Sequence, residues 1–303
     1  MTSFNILIFF CLLSSFTACA LGFFVHGRNP KSRMNSLFLC SMIGASYWAL
    51  GEFFFWLAPS VSDAEFWLKF SSFWPVAIAL FAHFILVYID HPLARPAKIR
   101  LLIAGLYLPA LFFSLVNLCT DATFYVTTHA GTTFIYVPNV SSTLYQLECL
   151  FISLIMMGAI WAGVAAWQRA DSPGKKTQVR FICLALGTAI GFGAVSGILF
   201  PLLDIQTPNL VFIGIFLFSI IITYAINRYG LFTLTPEMAL PEILKTMPDG
   251  LILIDRTGNI IAVNKAAART FRTDESRMQD LPATRFLPEA PYHELVKRIR
   301  EHE

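Results

Sequence analysis

The stretch WALGEFFFWLAPSVSDAEFWLKFSSFWPVAIALFAHFILVY, Trp48–Tyr88, decides how the chain is read. It ends one apolar run and holds most of another, and each run is long enough for the roughly 20 residues that a bilayer crossing needs. The short connection between them, Ala58–Phe66, contains no Lys or Arg. An acid, Glu52, sits inside the first run, and Pro75 and His83 interrupt the second. Four tryptophans, Trp48, Trp56, Trp67 and Trp74, cluster around the connection.

Working outward, the same pattern recurs. Of 303 residues, 56% are hydrophobic and only 14% charged, with mean hydropathy +0.64, whereas a soluble domain carries about 25% charged residues. The apolar runs are Phe4–Val25, Asn35–Leu57, Trp67–Ile89, Ile99–Leu118 (with Pro109), Leu144–Trp167, Phe181–Leu203 and Asn209–Asn227. They predict a membrane all-α fold, a bundle of seven transmembrane helices in a lipid bilayer. Beyond Tyr229 the composition is that of a soluble domain.

Charge sets the expected orientation. Arg28, Lys31 and Arg33 lie in the first loop, Arg95, Lys98 and Arg100 in the third, and Arg169, Lys175, Lys176 and Arg180 in the fifth. Loops Ala58–Phe66, Cys119–Thr143 and Asp204–Pro208 have no Lys or Arg. By the positive-inside rule the basic loops are cytoplasmic, so the N-terminus is outside and the C-terminus inside. The expected place is the cell (inner) membrane, as a multi-pass protein. A cleaved signal peptide is disfavoured, because the first basic residue, Arg28, follows the apolar run instead of preceding it. The net charge of +3 says little by itself, and no nucleic-acid partner is expected.

Polar residues within the spans are the candidate site. Glu52, Glu148, Asn117, Gln146 and Asn209 fall at similar depth in the outer half, and Lys69 lies at the outer end of the third span. Buried ionisable groups are costly and turn toward the bundle interior. One reading makes Glu52, Trp56, Lys69, Asn117, Gln146 and Glu148 a ligand pocket open to the outside, with tryptophan walls. The other assigns the tryptophans to an interfacial belt and pairs Lys69 with Glu52 or Glu148. His83 reads as a helix–helix hydrogen-bonding residue. Gly187, Gly191, Gly193 and Gly197 have the small-xxx-small spacing of close helix packing.

The outer loop CTDATFYVTTHAGTTFIYVPNVSS, from Cys119, has β-branched and aromatic runs flanking His-Ala-Gly, which predicts a short hairpin lidding the outer face. Its Asn-Val-Ser at Asn139 is too short a pattern to carry a glycosylation assignment. The six cysteines are scattered with no Cys-x-x-Cys pair, so no metal site is expected. Cys119 and Cys149 both fall near the outer face, where free thiols are favoured over a disulfide.

In the tail, GLILID (Gly250–Asp255) and NIIAVN (Asn259–Asn264) read as two strands. Asp255 and Gly258 fit the turn between them, and Asn264 is placed to cap a helix starting KAAARTF.

DGLILIDRTGNIIAVNKAAARTF, with Asp255, Gly258 and Asn264, resembles the opening of a PAS domain. The preceding IIITYAINRYGLFTLTPEMALPEILKTM resembles the junction after the seven-transmembrane sensor region of bacterial histidine kinases, and Trp48–Tyr88 is similar to the second and third helices of that region. The resemblance covers nearly the whole chain. It implies a sensory bundle over residues 1–228, a connector over 229–243 and the N-terminal part of an α/β PAS domain over 244–303, truncated relative to a domain of roughly a hundred residues. It also implies a homodimer, an unidentified small-molecule or membrane signal, and an output domain absent here, a histidine kinase or alternatively a diguanylate cyclase. No catalytic residue and no cofactor is identifiable. YHELVKRI (Tyr292–Ile299) echoes a phosphoacceptor box but lacks its Thr-Pro, and is expected to be an amphipathic helix with Leu295 and Ile299 on one face.

The rivals fit poorly. A transporter would show internal repeats, and none is evident. A retinal protein needs a lysine in the last span, and Asn209–Asn227 has none. The third and seventh spans end in VYIDHP and AINRYG, without the Asp-Arg-Tyr and Asn-Pro-x-x-Tyr patterns of G-protein-coupled receptors. Enzyme motifs such as His-Glu-x-x-His and Gly-x-Ser-x-Gly are absent.

Overall fold

Each long apolar run forms a helix, because a bilayer core offers no water and only an internally bonded helix satisfies its own backbone there. The computed structural model describes residues 2–129, 133–170, 172–200, 203, 209–232, 247–255, 258–278 and 280–286. The expected loop 204–208, the hairpin tip at Ala130 and Gly131, connector residues 233–243 and the segment 292–299 lie outside the described residues.

The first span is α1 (Thr2–Arg28) and the second α2 (Arg33–Trp56). The third combines α3 (Val61–Phe70), a 3-10 turn at Ser71–Phe73 and α4 (Trp74–Tyr88). The fourth is α5 (Ile99–Cys119), the fifth α6 (Thr143–Arg169) and the sixth α7 (Pro173–Ala194), continued by a π turn at Val195–Leu199. The seventh is α8 (Val211–Tyr229). Among the described residues these are seven helical segments apolar and long enough to cross a membrane.

The third span begins six residues before the expected Trp67 and consumes most of the expected loop. Ser60 is the cause: its hydroxyl accepts the Asp63 amide at 3.1 Å and so starts the helix early. The interruption foreseen at Pro75 falls just before it. Proline has no amide to reach the Ser71 carbonyl, and Trp74 N–H bonds that carbonyl in a 3-10 turn instead.

The spans close in the order first, second, third, fifth, sixth, seventh and back to the first, with the fourth packed on the third and touching the fifth. Phe38, Met42, Phe84, Phe212 and Ile222 are fully buried at the centre. Polar side chains stitch backbones together: Ser14 Oγ donates to Phe212 O at 2.5 Å, and Asn35 Nδ2 to Val25 O at 3.0 Å. His83 Nδ1 and Tyr107 OH lie 2.9 Å apart, joining α4 to α5.

The glycine stripe in the sixth span does not make the close approach its spacing predicts. A Cβ added at Gly187, Gly191 or Gly197 would meet nothing within 4 Å, and only Gly193 touches a neighbour, Val211. Gly187 and Gly191 face outward; spacing fixes a stripe without fixing which side it faces. The close approach is made by the opposite partner, Gly214 of α8, whose added Cβ would stand 2.7 Å from Ala189 Cα.

Between α5 and α6, strands β1 (Phe124–His129) and β2 (Thr133–Pro138) pair antiparallel, with Val126 opposite Tyr136 and Phe124 opposite Pro138. All six cysteines are free thiols.

The C-terminal unit is separate. Strands β3 (Ile252–Ile254) and β4 (Ile260–Val263) pair antiparallel, followed by α9 (Lys265–Thr270) and α10 (Glu275–Met278) around buried Ile260, Met278 and Ala283. Gly258 takes φ 90° and its amide reaches Asp255 O at 3.1 Å, while Asp255 Oδ1 accepts the Asn259 amide at 2.8 Å. Asn264 Oδ1 accepts both Ala267 N and Leu251 N at 2.9 Å, and its Nδ2 donates to Asp249 O at 2.8 Å. One buried amide thus caps α9 and ties it to the segment that leads into β3.

Candidate ligand-binding site

A cavity of about 1290 Å³ opens inside the bundle at the hairpin end, lined by α2, α4, α6, α7 and α8, with the hairpin over it. Its deeper wall is aromatic and aliphatic. Trp48 and Trp74 stack with ring centres 5.5 Å apart, and Phe81, Met156, Leu186 and Phe218 lie near them. Trp67 stays outside, stacked on Phe54 at 4.5 Å.

The polar groups gather at the hairpin side. Glu52 is 5% exposed. Its Oε1 accepts Trp56 Nε1, one helical turn on, at 2.9 Å and the Tyr136 hydroxyl at 2.9 Å. Burial first, and the adjacent Glu52 carboxylate second, push the Tyr136 phenol well above its ordinary range, so it remains a donor. Glu148 is 1% exposed. Its Oε1 accepts Asn117 Nδ2 at 2.7 Å, and Asn117 Oδ1 in turn accepts the Thr123 hydroxyl just before β1. The second oxygen, Oε2, is buried without a hydrogen-bond partner, as are the hydroxyls of Ser71 and Ser72 on the same cavity.

Lys69 pairs with neither glutamate. Its Nζ lies 2.7 Å from Asp121 Oδ1 and donates to the carbonyls of Asn117 at 3.1 Å and Thr120 at 2.5 Å. The belt reading is corrected on this point: the lysine is held at the end of α5 by a loop acid. Gln146 is exposed, bonds Val140 O at 3.0 Å, and stands outside the cavity. Glu52, Trp56, Lys69, Asn117 and Glu148 are brought together.

Sequence reasoning missed Tyr136, Thr123 and Ser196, whose hydroxyl donates to Oδ1 of Asn209, one of the expected outer-half polar residues, at 2.9 Å beside the start of α8. Strand alternation is the available signal for the first: it puts Tyr136 on the face shared with Phe124, 6.1 Å away between ring centres. Among the described residues no three His, Cys, Asp or Glu side chains group as a metal site.

At the opposite end α8 stops at Tyr229. Gly230 takes the left-handed conformation, φ 61°, that glycine adopts without penalty. The chain then turns back into the bundle: Leu231 is fully buried, and Phe232 packs on Phe38 at 4.8 Å and Phe84 at 5.9 Å. Gln178 Nε2 of α7 holds the turn through Tyr229 O at 2.9 Å and Gly230 O at 3.4 Å. Phe232 has φ 64°, a strained value for a side chain of that bulk, held in place by this packing.

The family described as the N-terminal 7TM region of histidine kinase matches residues 7–236, and the PAS domain family matches residues 242–301. No curated protein matches the chain.

Proposed function

The chain belongs to the family of N-terminal seven-transmembrane regions of histidine kinases, followed by a PAS domain, and from that premise we propose that it senses a small molecule held in the hairpin-side cavity and relays its arrival through α8. A membrane sensory input module is the function the family supports. The finer reading rests on one observation: α8 lines the cavity with Val211, Ile215 and Phe218 in its first turns, next to Asn209 just before it, and leads into the buried Leu231–Phe232 anchor at its end. A helix of 19 residues spans about 28 Å, so one stiff element joins the two ends of the bundle.

The hairpin faces the outside in this reading and the anchor faces the cytoplasm. Charge supports that orientation. The basic loops around Arg33, Arg100 and Lys175 share the anchor's end, whereas Lys69 at the hairpin end is neutralised by Asp121. The two glutamates make the cavity responsive. Each is bonded to a group tied to the hairpin, Glu52 to Tyr136 and Glu148 through Asn117 to Thr123. A ligand that takes over either carboxylate favours a different hairpin position, which is the differential affinity a two-state receptor requires. Two protomers, as in a homodimer, would present paired anchors to paired PAS domains.

Thiol labelling tests the side from which the cavity is reached. Cys149 lines it, so the other five cysteines are replaced by alanine and spheroplasts are treated with an impermeant cationic methanethiosulfonate. The expected result is modification of Cys149 from outside, and of a separate Lys175→Cys variant only after permeabilisation. Labelling of Lys175→Cys alone in sealed spheroplasts would reverse the orientation and sink the reading.

A further inference from the structure

Resting on the reading of this cavity as a ligand site, we propose that its occupant is an organic ammonium ion with an apolar body. The charge inventory points there. Two carboxylates, Glu52 and Glu148, face the cavity, and among the described lining residues the one cation, Lys69, is already engaged by Asp121 and two carbonyls. Glu148 Oε2 is the independent sign: a carboxylate oxygen with no donor, on a residue of the cavity's lining, closed off from the open space as the side chain stands, so that a guest reaches it as Glu148 turns inward. Burying such an oxygen unpaired costs free energy that an arriving N–H⁺ group recovers.

The rest of the wall suits the same guest. A cation over a tryptophan face is attracted by the ring quadrupole, most strongly where water is excluded, and Trp48 and Trp74 present stacked indoles to the cavity. A volume of about 1290 Å³ exceeds the roughly 300–1,000 Å³ of ordinary small-molecule pockets, so the ammonium carries an apolar body of considerable size. An anionic ligand would meet two carboxylates with no free counter-charge. A neutral alcohol can donate one hydrogen bond to Glu148 but leaves the carboxylate's charge uncompensated.

Ammonium binding also explains how occupancy would reach the hairpin. The other oxygen of Glu148 holds Asn117, which accepts from Thr123 at the root of β1. A cation at Oε2 draws charge away from the Asn117 bond and loosens that tie.

Three photoreactive probes sharing one diazirine-bearing aryl-alkyl body, and ending in an ammonium, a hydroxyl or a carboxylate, test the proposal on the full chain in zwitterionic nanodiscs. Cross-linked peptides are mapped by mass spectrometry. The ammonium probe is expected to label peptides containing Trp48, Met156 or Phe218 about tenfold more than the alcohol, the size of one charge-assisted hydrogen bond, with the carboxylate silent. Glu148→Gln is expected to cut ammonium labelling about tenfold and alcohol labelling far less, while a parent-like thermal melt shows that the variant folds; Glu52→Gln is the second variant should the first fail to fold. Alcohol or carboxylate labelling equal to the ammonium, or a Gln variant that labels like the parent, overturns the amine while leaving the cavity reading intact. Failure of all three probes to label cavity peptides overturns both.

Discussion

Gly214→Val is expected to prevent assembly of the bundle. The new side chain would start 2.7 Å from Ala189 Cα and 3.1 Å from Thr188 O, both backbone atoms that no rotamer change can move aside. Overpacking a core costs about 1–3 kcal/mol where side chains can adjust, and more where they cannot. Here the sixth and seventh spans must separate along their length, which also displaces the helix that lines the cavity. Size-exclusion chromatography and a thermal melt in detergent check this: the variant should lose the monodisperse peak, while Gly187→Ala and Gly191→Ala keep the parent profile and melting temperature. A Gly214→Val protein that melts with the parent would mean that α7 and α8 do not pack this closely.

The second large effect falls on the anchor. Phe232→Ala removes a ring packed on Phe38, Phe84 and Tyr88. In a water-soluble core Phe→Ala costs about 3–5 kcal/mol. Lipid is as apolar as the packed site, so the transfer part of that cost fades and the loss of close contacts remains. The backbone strain at φ 64° persists without the ring that held it. The turn is therefore expected to open while the bundle stays folded. Amide exchange reads this directly: Leu231 N–H, which donates to Ala225 O at 3.4 Å, should exchange at least about tenfold faster, the mark of about 1.4 kcal/mol of lost local stability. Unchanged protection at Leu231 would show that the anchor is held by Gln178 and Gly230 alone.

The bundle was legible in the sequence because lipid imposes one answer on a long apolar run. The two glutamates stood out for the same reason, as acids where acids are expensive. Gln146 went astray although it lies only two positions from Glu148. Residues two apart on a helix point about 200° away from each other, so one of the pair had to leave the cavity, and the first turn of α6 leaves Gln146 to the loop. The partner of Lys69 could not be read, since Asp121 lies 52 positions further along in a loop whose path the sequence does not give. Tyr136 is a further instance: nothing in its composition marks it, and only the strand register aims its hydroxyl at Glu52. In the tail, by contrast, Asp255, Gly258 and Asn264 act on neighbours within a few residues, and local chemistry of that kind can be read directly.

Hydrogen–deuterium exchange on the full chain in nanodiscs, with the cavity filled covalently, tests the central claim that occupancy of the hairpin-side cavity is felt at the opposite end. With Cys149 as the sole cysteine, a cationic methanethiosulfonate adduct supplies the occupant, whatever the natural ligand is. The adduct is expected to alter exchange at Leu231 and Phe232 and in the β3–β4 hairpin, and Phe232→Ala to remove the effect on the hairpin. Changes confined to α6 and the β1–β2 hairpin would contradict that claim, and the cavity would then be a space that binds without signalling.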